Sequence, residues 1–222
     1  MIVVGASIPS VAQDHAVGSD PFQLHVGRIE LSEQSAIDGI AVLSRRANLR
    51  VAVEFPLGVS IARPAPTLRL FNATIEAGTV AQMLDKLCSL DATFTWFRLG
   101  NVLHVLPRAV AQDPNYVFNR RVDDLSFQGV NEASDAVMKM VDQLPGPREQ
   151  LAVMQVGVSL NFSQPWKARL RNMTVREVVD QIAQQVGRSY GWQLSGAQDF
   201  RIVVFQEGLL EKPGHGGQKE QH

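Results

Sequence analysis

Histidine is the side chain best suited to acid–base or metal chemistry at neutral pH, and this sequence spreads its histidines singly. The five histidines are His15, His25, His104, His215 and His222. His104 alternates with the apolar Leu103 and Val105, which predicts a strand position facing solvent or a neighbouring strand. Because the histidines are scattered and form no constellation with a nucleophile, a base or a metal cluster, the pattern indicates a protein that is not an enzyme and binds no metal.

Carboxylates and the single cysteine add no predicted catalytic or cofactor site. Asp85 and Asp180 each follow an apolar pair on a predicted helix, which predicts solvated positions rather than a carboxylate pair. Asp123 and Asp124 form a lone acidic pair, for which a turn is the simpler interpretation. Cys88 lies on a predicted apolar helix face, so we expect it to be buried, and a lone cysteine excludes an internal disulfide. No Gly-rich turn joins a strand to a helix, so no nucleotide cofactor is predicted.

Two arginines and one tryptophan are the predicted partner-binding residues. Arg169 and Arg171 flank Leu170 on a predicted strand, so both project from the face opposite the core, where they are solvated or contact an acidic partner. Trp166 is predicted in a loop formed by Gln164, Pro165 and Trp166, which would leave its ring free for contact.

A repeated pattern organises the chain around these residues. The stretch Thr79–Leu87 matches Thr174–Ile182 in residue type at every position but one, where Ala81 corresponds to Arg176. Each begins with threonine where a helix prefers an N-cap, and Gln82 or Glu177 follows three residues later, which predicts two capping boxes. An aromatic pair and an apolar strand follow each helix. The aromatic pairs are Phe94 with Trp96 and Tyr190 with Trp192.

The order strand, helix, strand, strand, helix, strand, strand can be traced through each half. It predicts an α+β fold of two tandem small domains, each with two helices packed on small mixed or antiparallel sheets. The predicted boundaries are an N-terminal segment at 1–21, a first domain at 22–107, a linker at 108–115, a second domain at 116–206 and a disordered tail at 207–222.

Local signals set several element boundaries. Ser32 is a candidate cap for the first helix, and Asn48 is suited to end that helix in a left-handed conformation. The prolines between Pro56 and Pro66 predict an irregular loop. In the second half, Val158–Phe162 and Ala168–Leu170 are predicted as two separate strands.

Charge and hydropathy limit the possible partners and compartments. The formal net charge is −1 and no basic patch is sustained, which disfavours a nucleic-acid partner. No stretch reaches the roughly 18 apolar residues of a membrane helix, so a protein without a membrane span is predicted. Residues 1–12 are apolar and end in Ser10, Val11 and Ala12, which predicts the remnant of an export signal, with a disordered N-terminus as the alternative.

The stretch Ile29–Val51, followed by Thr79–Asp85 and the aromatic hairpin at Phe94–Val105, resembles the secretin and TonB N-terminus domain family. The resemblance covers 22–107 and returns more weakly over 116–206. It implies a periplasmic module, soluble or peripheral to the envelope, that binds another envelope protein. The implied partners are a secretin, a TonB-system component or an inner-membrane component.

A second hypothesis assigns the crevice between the two repeats to a small ligand or a cell-wall glycan. Trp96, Trp166 and Trp192 would then supply stacking surface.

Overall fold

The computed structural model has the α+β fold expected from the sequence. It describes residues 20–55, 69–144, 160–187, 190–195 and 199–204. The segment Met1–Ala12, the loop at Pro56–Pro66 and the tail at 207–222 lie outside these ranges.

In the first half, short strands surround two helices of equal length. A single turn of 3-10 helix at Pro21–Gln23 comes first. The elements that follow are β1 (His25–Val26), β2 (Ile29–Gln34), α1 (Ala36–Arg46), β3 (Arg50–Phe55), β4 (Phe71–Ile75), β5 (Gly78–Thr79), α2 (Val80–Leu90), β6 (Phe94–Leu99) and β7 (Val102–Pro107).

The described part of the second half contains two longer strands and again two helices. Its elements are β8 (Arg121–Glu132), α3 (Ala133–Gln143), β9 (Asn161–Thr174), α4 (Val175–Val186), β10 (Tyr190–Ser195) and β11 (Asp199–Val204).

Both predicted capping boxes are confirmed. Thr79 and Thr174 accept hydrogen bonds from the backbone amides of Gln82 and Glu177. The side chains of Gln82 and Glu177 accept in return from the amides of the two threonines. Four backbone donors that a helix start would leave unpaired are therefore satisfied, and α2 and α4 begin at equivalent residues.

The first helix begins three residues later than predicted. Ser32 lies within β2, and Ser35 is the N-cap, because its hydroxyl and amide exchange hydrogen bonds with Asp38. At the other end Asn48 adopts the expected left-handed conformation, with φ of 50°.

One five-stranded sheet runs through both halves of the chain. Its order is β11-β10-β3-β7-β6, and β10 pairs in parallel with β3, which places Trp192 opposite Ala52. β3 also pairs in parallel with β7, and the two hairpins are antiparallel. The hairpin of the second half therefore extends the sheet of the first, whereas the sequence predicted a separate sheet for each half.

The shared sheet separates two hydrophobic cores. Leu103 and Val105 of β7 face the core that contains α1 and α2. Val102, Ala52 and Trp192 belong to the other core, which contains α3 and α4. Neighbouring residues of a strand point to opposite faces of the sheet. Because both faces of β7 are covered by a core, every residue from Val102 to Leu106 is buried.

The second core is closed by the long ribbon of β8 and β9. β9 is one continuous strand of 14 residues, so the prediction of two separate strands is wrong. Pro165 lies within it, which a two-stranded ribbon tolerates because one edge of each strand is unpaired. Gly129 has φ of 71° at a register shift between Gln128 and Val130, a bulge that returns Val130 to the buried face.

Asp123 and Asp124 lie within β8, so the predicted turn is wrong. The basic partners of Asp124 lie across the ribbon, where Asp124 is directly opposite Arg171. Cross-strand neighbours of this kind are close in space and distant in sequence.

Between the two halves the chain makes ordered turns. Arg108–Val110 forms a turn of 3-10 helix. The Asn119 amide donates hydrogen bonds to the carbonyls of Val110 and Asp113 at 2.9 and 2.7 Å. Among the described residues, no helix is both long and apolar enough to cross a membrane.

Candidate functional site

A buried ion pair joins α4 to the middle strand of the shared sheet. Glu54 on β3 is fully buried and Arg176 on α4 is 5% exposed. The Arg176 guanidinium donates from Nε to Glu54 Oε1 at 2.6 Å and from Nη2 to Oε2 at 3.0 Å, and from Nη1 to Asn119 Oδ1 at 2.7 Å. This bidentate geometry compensates two charges that could not be buried singly. The ion pair therefore ties the two halves of the chain together.

A second polar contact crosses the same face of the sheet. The ring nitrogen Nε2 of His104 lies 3.0 Å from Asp180 Oδ2, and the indole N–H of Trp192 donates to Asp180 Oδ1 at 2.7 Å. Phe97, directly opposite on β6, stacks on the His104 ring at 5.0 Å. His104 is fully buried against this neighbouring strand, so the solvent-facing alternative is wrong. Asp180, only 9% exposed, contradicts the predicted solvated position.

The contact between His104 and Asp180 positions elements of the fold and offers no reactive group. A histidine held by a carboxylate can serve as a general base when a substrate reaches its free nitrogen. Here the whole His104 side chain is inaccessible, and Nδ1 has no hydrogen-bond partner among the described residues. The pair therefore holds α4 and β10 against β7.

Tyr116 lies at the edge of this junction, beside Glu54. Burial first, and then the negative charge of Glu54, raise the pKa of the Tyr116 phenol well above its usual range. Ionisation of Tyr116 is therefore strongly disfavoured in the folded protein.

The contact between Asp180 and Trp192 has a counterpart in the first half. The Trp96 indole N–H donates to Asp85 Oδ1 at 2.8 Å, across the same sequence pattern. Asp85 is exposed, as predicted, and Trp96 is half-buried. The repeated sequence thus produces the same helix-to-hairpin hydrogen bond twice, once at the surface and once inside the junction.

A polar cleft of about 680 Å³ opens between the two halves, where the crevice was predicted. Residues 48–50 and 99–102 form its wall on the first half. The other wall comes mainly from one face of α4, including Asp180. None of the three tryptophans is among the described residues that line it, so the predicted stacking surface is wrong for this cleft.

The predicted arginines lie on the exposed face of the ribbon. Arg169 and Arg171 are exposed on β9, and Lys167, two residues before Arg169, is exposed on the same face. We call these three residues the cationic strip. Arg169 forms an ion pair with Asp124, and its hydrogen bonds hold the pKa of Asp124 below the usual range. Arg171 Nε lies 3.8 Å from the same carboxylate. One carboxylate thus contacts two of the three cations.

Trp166 is not in a loop and is not free for contact. It lies within β9 and is 7% exposed, with its ring stacked on Phe127 at 4.1 Å and edge-on to Phe162 at 5.8 Å. Trp166 lies on the same face of the unbroken strand β9 as Ala168 and Leu170, and the sequence pattern missed this because it placed Pro165 and Trp166 in a loop before the strand. Its ring stabilises the second core.

Within the described ranges, no group of three or more His, Cys, Asp or Glu side chains is arranged to hold a metal ion. Cys88 is buried, as predicted, and burial raises the pKa of its thiol to about 11. A reactive thiolate at Cys88 is therefore disfavoured.

Sequence reasoning missed the ion pair of Glu54 with Arg176. The alternation of Val51, Val53 and Phe55 predicts one apolar face for β3 and places Glu54 on the opposite face. From the sequence alone, a charged residue such as Glu54 on that face is expected to be solvated. In the structure a second layer covers the face and buries it. Arg176 follows the helix cap like any surface residue, so no local signal pairs it with a glutamate 122 positions away.

No protein-family model matches this chain, and neither the curated proteins nor the solved structures include a significant match.

Proposed function

We propose that this chain is a non-catalytic interaction module of the cell envelope that acts in the periplasm and resembles secretin and TonB N-terminus domains. The cationic strip carries this proposal. It is an exposed, charged and extended surface on a rigid ribbon. The buried polar groups of the junction are engaged in holding the fold together and leave no accessible catalytic pair among the described residues.

The cationic strip has the geometry to bind an extended acidic segment. Lys167, Arg169 and Arg171 occupy alternate positions of β9, so their side chains leave the same face about 6.8 Å apart along the strand. Lys167 makes no ion pair with the described residues. Because Asp124 is the carboxylate paired with both arginines, the strip keeps an excess of positive charge.

An acidic partner is favoured by complementarity of charge. A row of exposed cations accelerates encounter with an anionic surface and sets the register of the complex, and both effects weaken with salt. The partner in this proposal is an acidic, extended segment of a secretin, TonB-system or inner-membrane protein. The end of the shared sheet at β6 is the other surface suited to a partner, by addition of a strand.

Site-specific photo-crosslinking in the native cells tests the proposal. A crosslinker at Lys167 is expected to capture an envelope protein at a segment rich in Asp and Glu, whereas one at Lys139, exposed on α3, captures none. Charge reversal by Lys167→Glu and Arg171→Glu should abolish capture from a neighbouring strip position, and Lys167→Arg with Arg171→Lys should retain it. Capture from Thr95 on β6 instead of the strip would assign binding to the sheet edge. Capture of cytosolic proteins alone would refute the envelope function.

A further inference from the structure

We infer that the polar cleft binds an uncharged, hydroxyl-rich small ligand of the kind that a short oligosaccharide provides. The volume of about 680 Å³ lies within the range of small-molecule sites. The cleft and the cationic strip consist of different residues, so this inference goes beyond the proposed protein interaction and stands or falls independently of it.

Four side-chain amides line the cleft and are available to a ligand. Asn48 follows α1, Asn101 lies in the turn between β6 and β7, and Gln181 and Gln184 project from one face of α4. None of the four makes a side-chain hydrogen bond to the described residues. Each amide offers two N–H donors and one carbonyl acceptor, and a hydroxyl group can both donate and accept. Amides converging from both halves therefore match a ligand with several hydroxyl groups.

The charges of the cleft disfavour an anionic ligand. Glu177 and Asp180 both line it, and Arg50 is the cation among the described lining residues. Arg50 already interacts with another part of the protein. An anion would therefore meet two carboxylates without a free cation to offset them.

Both carboxylates already accept hydrogen bonds within the fold, which leaves fewer of their lone pairs for a cationic ligand. Asp180 accepts from Trp192 and lies within hydrogen-bond distance of His104. Glu177 accepts from the amide and the hydroxyl of Thr174 in the capping box. These contacts stabilise the two negative charges before any ligand arrives. The free groups of the cleft are the neutral amides.

Trp192 provides a built-in reporter of binding. Its indole N–H donates to Asp180, which lines the cleft, while the equivalent Trp96 donates to Asp85 away from it. A ligand that contacts Asp180 changes the environment of the first N–H and leaves the second unchanged. The indole resonances of the full chain, assigned with Trp96→Phe and Trp192→Phe, therefore separate specific binding from general effects.

The experiment titrates the full chain with chitotriose and with cellotriose at millimolar concentration, and with spermidine and inorganic phosphate as charged probes. We expect a trisaccharide to shift the Trp192 resonance and leave Trp96 unchanged. Asn101→Ala combined with Gln181→Ala should weaken binding about tenfold or more, because two hydrogen bonds are lost. Gln143→Ala, an exposed amide on α3, should bind like the original chain.

Several results would overturn the inference. They are no shift with either trisaccharide, a shift with spermidine or phosphate alone, and equal shifts of both tryptophans. Unchanged binding after the double substitution would also overturn it, provided that the indole spectrum shows the variant to be folded. If that variant does not fold, a second double variant, Asn48→Ala with Gln184→Ala, tests the same cleft. The same weakening of binding is expected for it.

Discussion

The two tryptophan–aspartate contacts are locally alike and lie in opposite surroundings. Trp96 donates to Asp85 at 2.8 Å and Trp192 donates to Asp180 at 2.7 Å. In the first half Asp85 is exposed to solvent. In the second half Trp192 is 1% exposed, and Asp180 also contacts His104 from the other repeat. The local sequence specifies the same contact in both halves. Only in the second half is the contact buried, so there we expect it to contribute more to stability.

The difference shows how a repeated unit can join to its copy without new secondary structure. The hairpin β10–β11 uses the open side of β3, which the first half leaves unpaired. With β10 paired there, α4 packs across the face of β3 and β7 that carries Glu54 and His104, and these buried polar residues need partners on α4. The second repeat supplies them in Arg176 and Asp180.

The largest expected effect is the loss of a charge inside the junction. Arg176→Met leaves Glu54 buried without its counter-ion and should reduce the free energy of unfolding by about 3–5 kcal/mol. Arg98→Met, which removes an exposed ion pair with Asp20, is the matched control and should cost much less. Urea denaturation measures both. Adding Glu54→Gln to Arg176→Met should recover part of the loss. Equal losses for the two arginine variants would show that the junction is solvated.

The matched aspartates give the sharpest comparison between the repeats. Asp180→Ala leaves the buried N–H of Trp192 unpaired and removes the contact of His104, so we expect a loss of about 2–4 kcal/mol. Asp85→Ala exposes the Trp96 N–H to water, and we expect about 1 kcal/mol or less. The difference between the two losses of unfolding free energy measures how much more the hydrogen-bonded pair contributes when it lies inside the junction. Similar values would mean that the surroundings of Asp180 are no drier than those of Asp85.

Alkaline pH should destabilise the junction through Tyr116. The phenol has a raised pKa in the folded protein, so above about pH 10 the unfolded chain releases a proton that the folded chain retains. Stability therefore falls as pH rises, by up to about 1.4 kcal/mol per pH unit. Tyr116→Phe removes this contribution and should flatten the fall in unfolding free energy between pH 9 and pH 11. Identical slopes for the two proteins would contradict the buried, uncharged phenol.

The smallest expected effects are at the helix caps, where the repeats should behave alike. Thr79→Ala and Thr174→Ala each remove the acceptor of a capping box, and each should cost about 1 kcal/mol. Because caps satisfy local backbone groups, docking should not change the value. Thermal or urea unfolding of both variants measures it. A clearly larger cost at Thr174 would indicate that the start of α4 is coupled to the junction.

Local patterns predicted the features that depend on neighbouring residues in the chain. The capping boxes at Thr79 and Thr174, the left-handed Asn48, the burial of Cys88 and the hairpins with their aromatic pairs all follow from contacts within a few residues. Predictions failed where the deciding neighbour was distant. Trp166 was taken for a loop residue because Pro165 precedes it, and only the pairing with β8 shows that the strand continues through this proline.

The candidate sites divide in the same way. The alternation around Leu170 predicted that Arg169 and Arg171 would be exposed, since strand geometry alone decides on which face they lie. The cleft was expected between the repeats, but its polar lining depends on how α4 lies against two turns of the first half. No local signal pairs Asn101 with Gln181.

The amino-acid sequence by itself determined the α+β class, the two capping boxes and the hairpins that follow the capped helices, because caps, turns and alternation act through near neighbours. Tertiary structure alone decided that the two halves share one sheet, since the pairing of β10 with β3 joins strands more than a hundred residues apart. That pairing brings α4 over the sheet face opposite α1 and α2, so both faces of the sheet are buried. It converts Glu54, His104 and Asp180 from apparent surface residues into partners inside the fold, because a charge removed from water is stable only beside groups that compensate it.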